Sequence, residues 1–204
     1  MESTPGSISD AEKSPAARLG ETLFRNRGWL PVPLLLLPVI LPGKQSMISW
    51  AVGLVLVALG ELIRTAGVAA AGTVTRRRSR TVQRLVTYGA FGWCRNPLYV
   101  GNFFAWIGFT VVSGVFWFIP VSIVLFSIEY TLIVRYEEGV LESIFGAEYL
   151  TYKQRTPRWF GRPPSGNNSG EHDWKEAIWS ERSTMMQYVV LIALFIAKSK
   201  YMYQ

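Results

Sequence analysis

One cysteine, Cys94, and one histidine, His172, are all that 204 residues contain of these two types. A lone thiol closes no internal disulfide, and one residue of each kind builds neither a cysteine-based zinc site nor a multi-histidine metal site. No metal is therefore expected. Nor is a covalent mechanism that needs a thiol–imidazole or imidazole-activated pair. Charge is also sparse: 17% of residues are charged, against 50% hydrophobic. The apolar residues do not alternate or scatter as in a soluble core. They fall in blocks, several approaching the roughly 20 residues that span a bilayer. The composition points to an integral membrane protein.

The charge that is present has one sign in excess, 21 Lys and Arg against 14 Asp and Glu, for a net +7. In a soluble chain this would suggest nucleic acid. Here the basic residues adjoin apolar runs, so anionic membrane lipids are the expected partner and no nucleic acid is.

Residues 1–24 are rich in Ser, Pro, Ala and acidic residues without apolar periodicity, and are expected to form a flexible N-terminal tail. Residues 25–204 are expected to form a single membrane domain. Its apolar runs place membrane helices near 29–42, 46–71, 97–114, 116–134 and 183–198. The first is short and holds Pro31, Pro33 and Pro38. Its basic flank also suits a signal peptide, but no small-residue cleavage pattern follows, so an uncleaved span is favoured. Gly53 and Gly60 give the second a small-residue packing face. Pro120 interrupts the fourth. The fold class is all-α: a polytopic bundle of about five membrane-embedded helices, with the 97–114 helix either crossing or re-entrant, and a cytoplasmic region over 135–182. With residues 1–28 on the cytoplasmic side, every Lys and Arg except Lys44, Lys198 and Lys200 falls on or beside that side, as the positive-inside rule asks.

Two polar stretches flank the 97–134 hairpin. Leu85-Val-Thr-Tyr-Gly-Ala-Phe-Gly-Trp-Cys-Arg-Asn-Pro-Leu-Tyr-Val-Gly101 precedes it, and Arg135-Tyr-Glu-Glu138 follows it. An antiparallel hairpin brings its ends together, so both stretches can line one pocket. Pro97 suits the first turn of a helix whose free N–H groups would attract a carboxylate. Glu137 could receive an amino group or ribose hydroxyls, and Phe91, Trp93 and Tyr99 could pack on an aromatic ring. Those are the needs of a ligand with an adenine, a ribose and an amino-acid end. On the residues alone a helix boundary and a solvated Glu-Glu face are the commoner reading. Glu61 and Arg64, three residues apart on one helical face, are either a structural ion pair or the reach of Arg64 toward a cofactor or headgroup site.

The pattern Leu85-Val86-Thr87-x-Gly89-x-Phe91-x-x-x-Arg95-Asn96-Pro97-Leu98-Tyr99-x-Gly101 resembles the cofactor motif of isoprenylcysteine carboxyl methyltransferases and the related phospholipid methyltransferases. So does Glu137-Glu138-x-x-Leu141-x-x-x-Phe145-Gly146-x-Glu148-Tyr149-x-x-Tyr152-x-x-x-Thr156-Pro157. The resemblance covers about residues 50 to 160. It implies a multi-pass membrane enzyme that binds S-adenosylmethionine at the cytoplasmic face and releases S-adenosylhomocysteine. The methyl acceptor would be lipophilic, an isoprenylcysteine carboxylate or a lipid headgroup. Carried over by motif position, Gln83, Arg84, Leu85, Val86, Phe91, Arg95, Asn96, Pro97, Leu98, Tyr99 and Glu137 would form the cofactor site. Arg135 is the candidate for orienting the acceptor, and Glu138 for taking a proton from an amine acceptor. Asn96 stands where the family commonly has His, which rules out titration near neutral pH at that position. Phe91 replaces a frequent Tyr. Sterol reductases share features of this cofactor region, so an NAD(P)H-dependent membrane reductase is an alternative. A non-enzymatic scaffold that binds lipid through Arg76–Arg84 is another.

Overall fold

The structure is a computed structural model describing residues 15–29, 31–72, 84–161, 163–164 and 168–201. Among these it has eight helices: α1 (Pro15–Asn26), α2 (Pro31–Ile40), α3 (Met47–Ala71), α4 (Ala90–Trp93), α5 (Pro97–Val112), α6 (Phe118–Phe145), α7 (Ala147–Arg155) and α8 (Trp174–Tyr201). The all-helical expectation holds over the described residues. The basic cluster Arg76–Arg80 and Gln83 lie outside them.

By length and composition, α3 and α6 can each cross a membrane. At 1.5 Å per residue they run about 38 and 42 Å. α5 is as apolar but has only 16 residues. α2 has ten, about 15 Å, which is too short to cross. Its helix tolerates Pro31 and Pro33 because first-turn N–H groups have no intrahelical acceptor to lose.

α3 begins with a reciprocal cap: Ser46 Oγ accepts from Ser49 N at 3.1 Å, and Ser49 Oγ accepts from Ser46 N at 2.8 Å. Glycines spaced by seven form one stripe along it, and α5 answers with a matching pair. A Cβ built on Gly53 would lie 2.6 Å from Gly108 O, and one on Gly60 would lie 2.5 Å from Gly101 O. The converse distances, from Gly108 to Gly53 O and from Gly101 to Gly60 O, are 2.6 and 2.5 Å. The two backbones therefore touch, as the small-residue face of α3 led one to expect.

Four expectations need correction. Residues 15–24 of the expected tail are helical, because α1 has an apolar stripe: Leu23 and Phe24 pack on the core formed by Tyr99, Trp106, Phe126 and Tyr130. The fourth membrane helix does not end near residue 134. α6 continues unbroken to Phe145 and turns only at Gly146, whose φ of 52° a residue with a side chain would strain to adopt. Pro120 does not interrupt it either, sitting in the first turn where its missing N–H costs nothing. The last helix is longer than expected, 28 residues from Trp174, and packs on α3 and α2.

Candidate functional site

A cavity of about 1410 Å³ opens between α1, α5, α6 and α8. Arg84, Leu85, Val86, Phe91, Arg95, Asn96, Pro97, Leu98, Tyr99, Glu137 and Glu138 all line it. Both polar stretches thus face one space, as the hairpin argument requires. Arg135 does not: its side chain is exposed and outside the lining.

The Arg-Asn-Pro turn is held by the chain that follows α7. Arg95 Nε donates to Glu138 Oε1 at 3.0 Å, and its Nη1 donates to Lys153 O at 3.1 Å and Thr156 O at 2.5 Å. The Arg95 N–H donates to Pro157 O at 2.9 Å, and Tyr152 Oη to Phe91 O at 2.7 Å. Asn96 Nδ2 donates to Arg158 O at 3.0 Å, while its carbonyl accepts from Tyr99 N and Val100 N as α5 begins. Arg158 closes the arrangement with Nη2 on Glu138 Oε2 at 2.7 Å. That bond raises the Arg158 guanidinium above its ordinary value. Glu138 is therefore a clasp between two arginines with both oxygens engaged.

Glu137 has a different partner. Its Oε2 accepts from Tyr99 Oη at 3.0 Å, within the cavity wall. Tyr130 stands edge-on to Tyr99 with ring centroids 5.1 Å apart, and Trp106 lies beyond it. The indole Nε1 of Trp106 is buried with no partner among the described residues. Toward α8 the lining is Arg64, Asn102, Thr184, Gln187 and Tyr188. Arg64 is bonded to Asn102 Oδ1 and to Glu181 Oε2, the latter at 3.0 Å, with Glu61 Oε2 at 3.4 Å. It forms the ion pair that was one of the two sequence alternatives, and it also lines the cavity.

Several lining residues were not singled out from the sequence: Phe24, Arg25, Arg27 and Gly28 after or within α1, Val32 and Leu35 of α2, and Thr184, Gln187 and Tyr188 of α8. The i, i+4 spacing of Thr184 and Tyr188 was a readable signal, but its polar character hid a cavity face.

Residues 48–148 match the family model described as phospholipid methyltransferase. That stretch belongs to the phospholipid methyltransferase family. It contains α3, α5 and α6 and both halves of the cavity's polar wall. The chain is also similar to the protein-S-isoprenylcysteine O-methyltransferases of mouse and human, at 35% and 33% identity over 124 residues. Those alignments cover 56% of this chain and 42% of either relative. The chain therefore spans about two fifths of the length of these methyltransferases. A further relative is the cobalt-zinc-cadmium resistance protein CzcN of Cupriavidus metallidurans. It is 28% identical over 200 residues, covering 95% of this chain and 90% of that protein. The family core thus accounts for the centre of the chain, while α1, α2 and α8 supply walls that lie outside it.

Proposed function

We propose that this chain is an integral membrane methyltransferase that moves a methyl group from S-adenosylmethionine to a lipophilic acceptor at the cytoplasmic membrane face. One observation carries the reading: a single cavity is lined by both family motifs. Its volume of about 1410 Å³ exceeds the roughly 300–1,000 Å³ of an ordinary small-molecule pocket, which leaves room for donor and acceptor together.

The residues present suit the donor. Tyr99 and Glu137 offer a hydroxyl and a carboxylate for ribose and amino groups, Phe91 offers a ring, and the unpartnered Trp106 indole offers a buried donor still to be satisfied. S-adenosylmethionine supplies a methyl already activated by its sulfonium sulfur, so the protein's task is alignment and exclusion of water. Val32, Leu35, Trp106 and Phe109 provide the apolar wall for the acceptor's lipid part. A carboxylate acceptor fits best, because it needs no base and Glu138 has no free oxygen to act as one. Arg64 faces this space, and the exposed Arg135 does not.

Calorimetric titration of the purified protein with S-adenosylhomocysteine tests the reading. The wild type is expected to bind, and Tyr99→Ala and Glu137→Ala are each expected to weaken binding about tenfold or more, the worth of one charge-assisted contact. No binding by the wild type, or two variants indistinguishable from it, would overturn the site. Selective thermal stabilisation by NADPH would instead favour a reductase.

A further inference from the structure

α1 and the turn after it lie before the family-matched stretch, yet they close one side of the cavity. The helix is firmly seated. A Cβ on Gly20 would sit 2.8 Å from Leu132 O, and the Phe24 ring lies 5.5 Å from that of Tyr136. The turn Arg27-Gly28-Trp29 is closed by bonds from Arg27 N to Phe24 O and from Trp29 N to Asn26 O, at 3.4 and 2.9 Å. Within it Arg27 Nη1 donates to Phe24 O at 3.1 Å, and the guanidinium carbon stands 3.9 Å over the Phe24 ring. These contacts orient the guanidinium without neutralising it.

The other cations around the cavity are paired with carboxylates, except Arg84. Arg25 pairs with Glu21 at 2.6 Å, and Arg64 with Glu61 and Glu181. Arg95 and Arg158 share Glu138, and Arg84 donates to Tyr88 Oη at 2.6 Å. Among the described residues no carboxylate is in ion-pair contact with Arg27, although Glu137, hydrogen-bonded to Tyr99, lies close enough to feel its charge. A five-donor fork with one carbonyl bond keeps most of its N–H groups available at the cavity wall. Its planar geometry matches a carboxylate or phosphate.

We propose that Arg27 is the anion-recognition residue of this cavity, seating a carboxylate or phosphate of one of the two ligands, with α1 as the element that presents it. The proposal rests on the methyltransferase reading for what those ligands are. The anion has two sources: the amino-acid carboxylate of the donor, or an acidic group on the lipophilic acceptor.

The full chain in detergent, wild type and Arg27→Gln, is titrated with S-adenosylhomocysteine and with 5′-methylthioadenosine, which lacks the amino-acid end. Each protein is also titrated with N-acetyl-S-farnesylcysteine and with its methyl ester. A roughly tenfold or greater loss for S-adenosylhomocysteine with methylthioadenosine unchanged supports the donor source. A similar loss confined to the free acid of the farnesyl compound supports the acceptor source. Equal affinities of Arg27→Gln and wild type for all four probes overturn the proposal. Arg27→Lys, which keeps the charge but not the fork, is expected to fall between them and serves if the glutamine variant does not fold. Wild type that binds no S-adenosylhomocysteine would sink the methyltransferase reading, while Arg27 would still be judged by discrimination between the acid and its ester.

Discussion

Glu137 and Glu138 are adjacent on α6 and have different tasks. Glu137 sits in the cavity wall with one hydroxyl partner, whereas Glu138 joins Arg95 to Arg158 and so fixes the Arg-Asn-Pro turn against the segment after α7. Removing the Glu138 charge leaves two guanidiniums without their common partner, one of them with a side chain only 9% exposed. Breaking a buried pair in this way typically costs about 3–5 kcal/mol. Glu138→Gln is therefore expected to lower stability by about that amount, and to loosen the turn that begins α5. Tyr99→Phe removes one neutral-to-charged hydrogen bond and should cost roughly 1.5–3 kcal/mol or less. Thermal unfolding of both variants in detergent decides the order. If Glu138→Gln melted with the wild type, the clasp would have no weight. The same contacts explain how Asn96 replaces the family's usual His: its amide donates to Arg158 O, a structural bond that needs a donor but no titration.

At the scale of elements, the α3–α5 contact is the rigid part of the cavity frame. Its glycines permit backbone contact, so adding one methyl is overpacking against a carbonyl oxygen rather than against a flexible side chain. Gly60→Ala is expected to destabilise by about 1–3 kcal/mol. Gly139→Ala is the matched comparison. A Cβ there meets nothing within 4 Å in mid-α6, so helix propensity alone should give a gain of up to about 1 kcal/mol. Equal melting temperatures for the two variants would remove the argument for close helix contact. The α3 half of this frame was legible in the sequence, because Gly53 and Gly60 stand out in an apolar helix. So was the meeting of Arg95–Tyr99 with Glu137, since a hairpin returns its own ends. α1 was not legible. Its stripe of Leu23 and Phe24 is short, sits in a Ser- and Pro-rich setting, and is stabilised by burial on α6 rather than by propensity. The continuation of α6 past Arg135 was hidden for a related reason: composition changes from apolar to charged there, but the backbone period does not.

Across the whole molecule, the bundle has two chemically different ends. At one, Lys198 Nζ donates to Pro38 O at 2.7 Å and Ser113 O at 3.0 Å, and Gln45 Nε2 to Val112 O at 3.0 Å. Pro38 O needs such a donor because the residue four places on, Pro42, has no N–H to offer it. Lys198 is thus a cation set on helix C-terminal carbonyls, which accounts for one of the few basic residues that the charge count leaves on this side. The other end gathers Arg95, Lys153 and Arg158 around the cavity, and Asp173 N–H there bonds to Ala69 O at 3.0 Å as α8 begins. By the positive-inside rule that second end is expected to face the cytoplasm. The lone cysteine makes the orientation measurable. Cys94 is 6% exposed, and burial pushes its thiol up to about 11. At pH 8 it should hold about 100-fold less reactive thiolate than an ordinary thiol, a deficit that shrinks as pH rises toward 11. It is therefore a nearly silent background for Ser143→Cys, exposed past the cavity end of α6, and for Lys44→Cys, exposed before α3. With a membrane-impermeant maleimide, Lys44→Cys is expected to label in intact cells and Ser143→Cys only in inverted vesicles. The opposite pattern would reverse the orientation. Labelling of both from one side would mean that an even number of the three helices between them, α3, α5 and α6, cross the membrane.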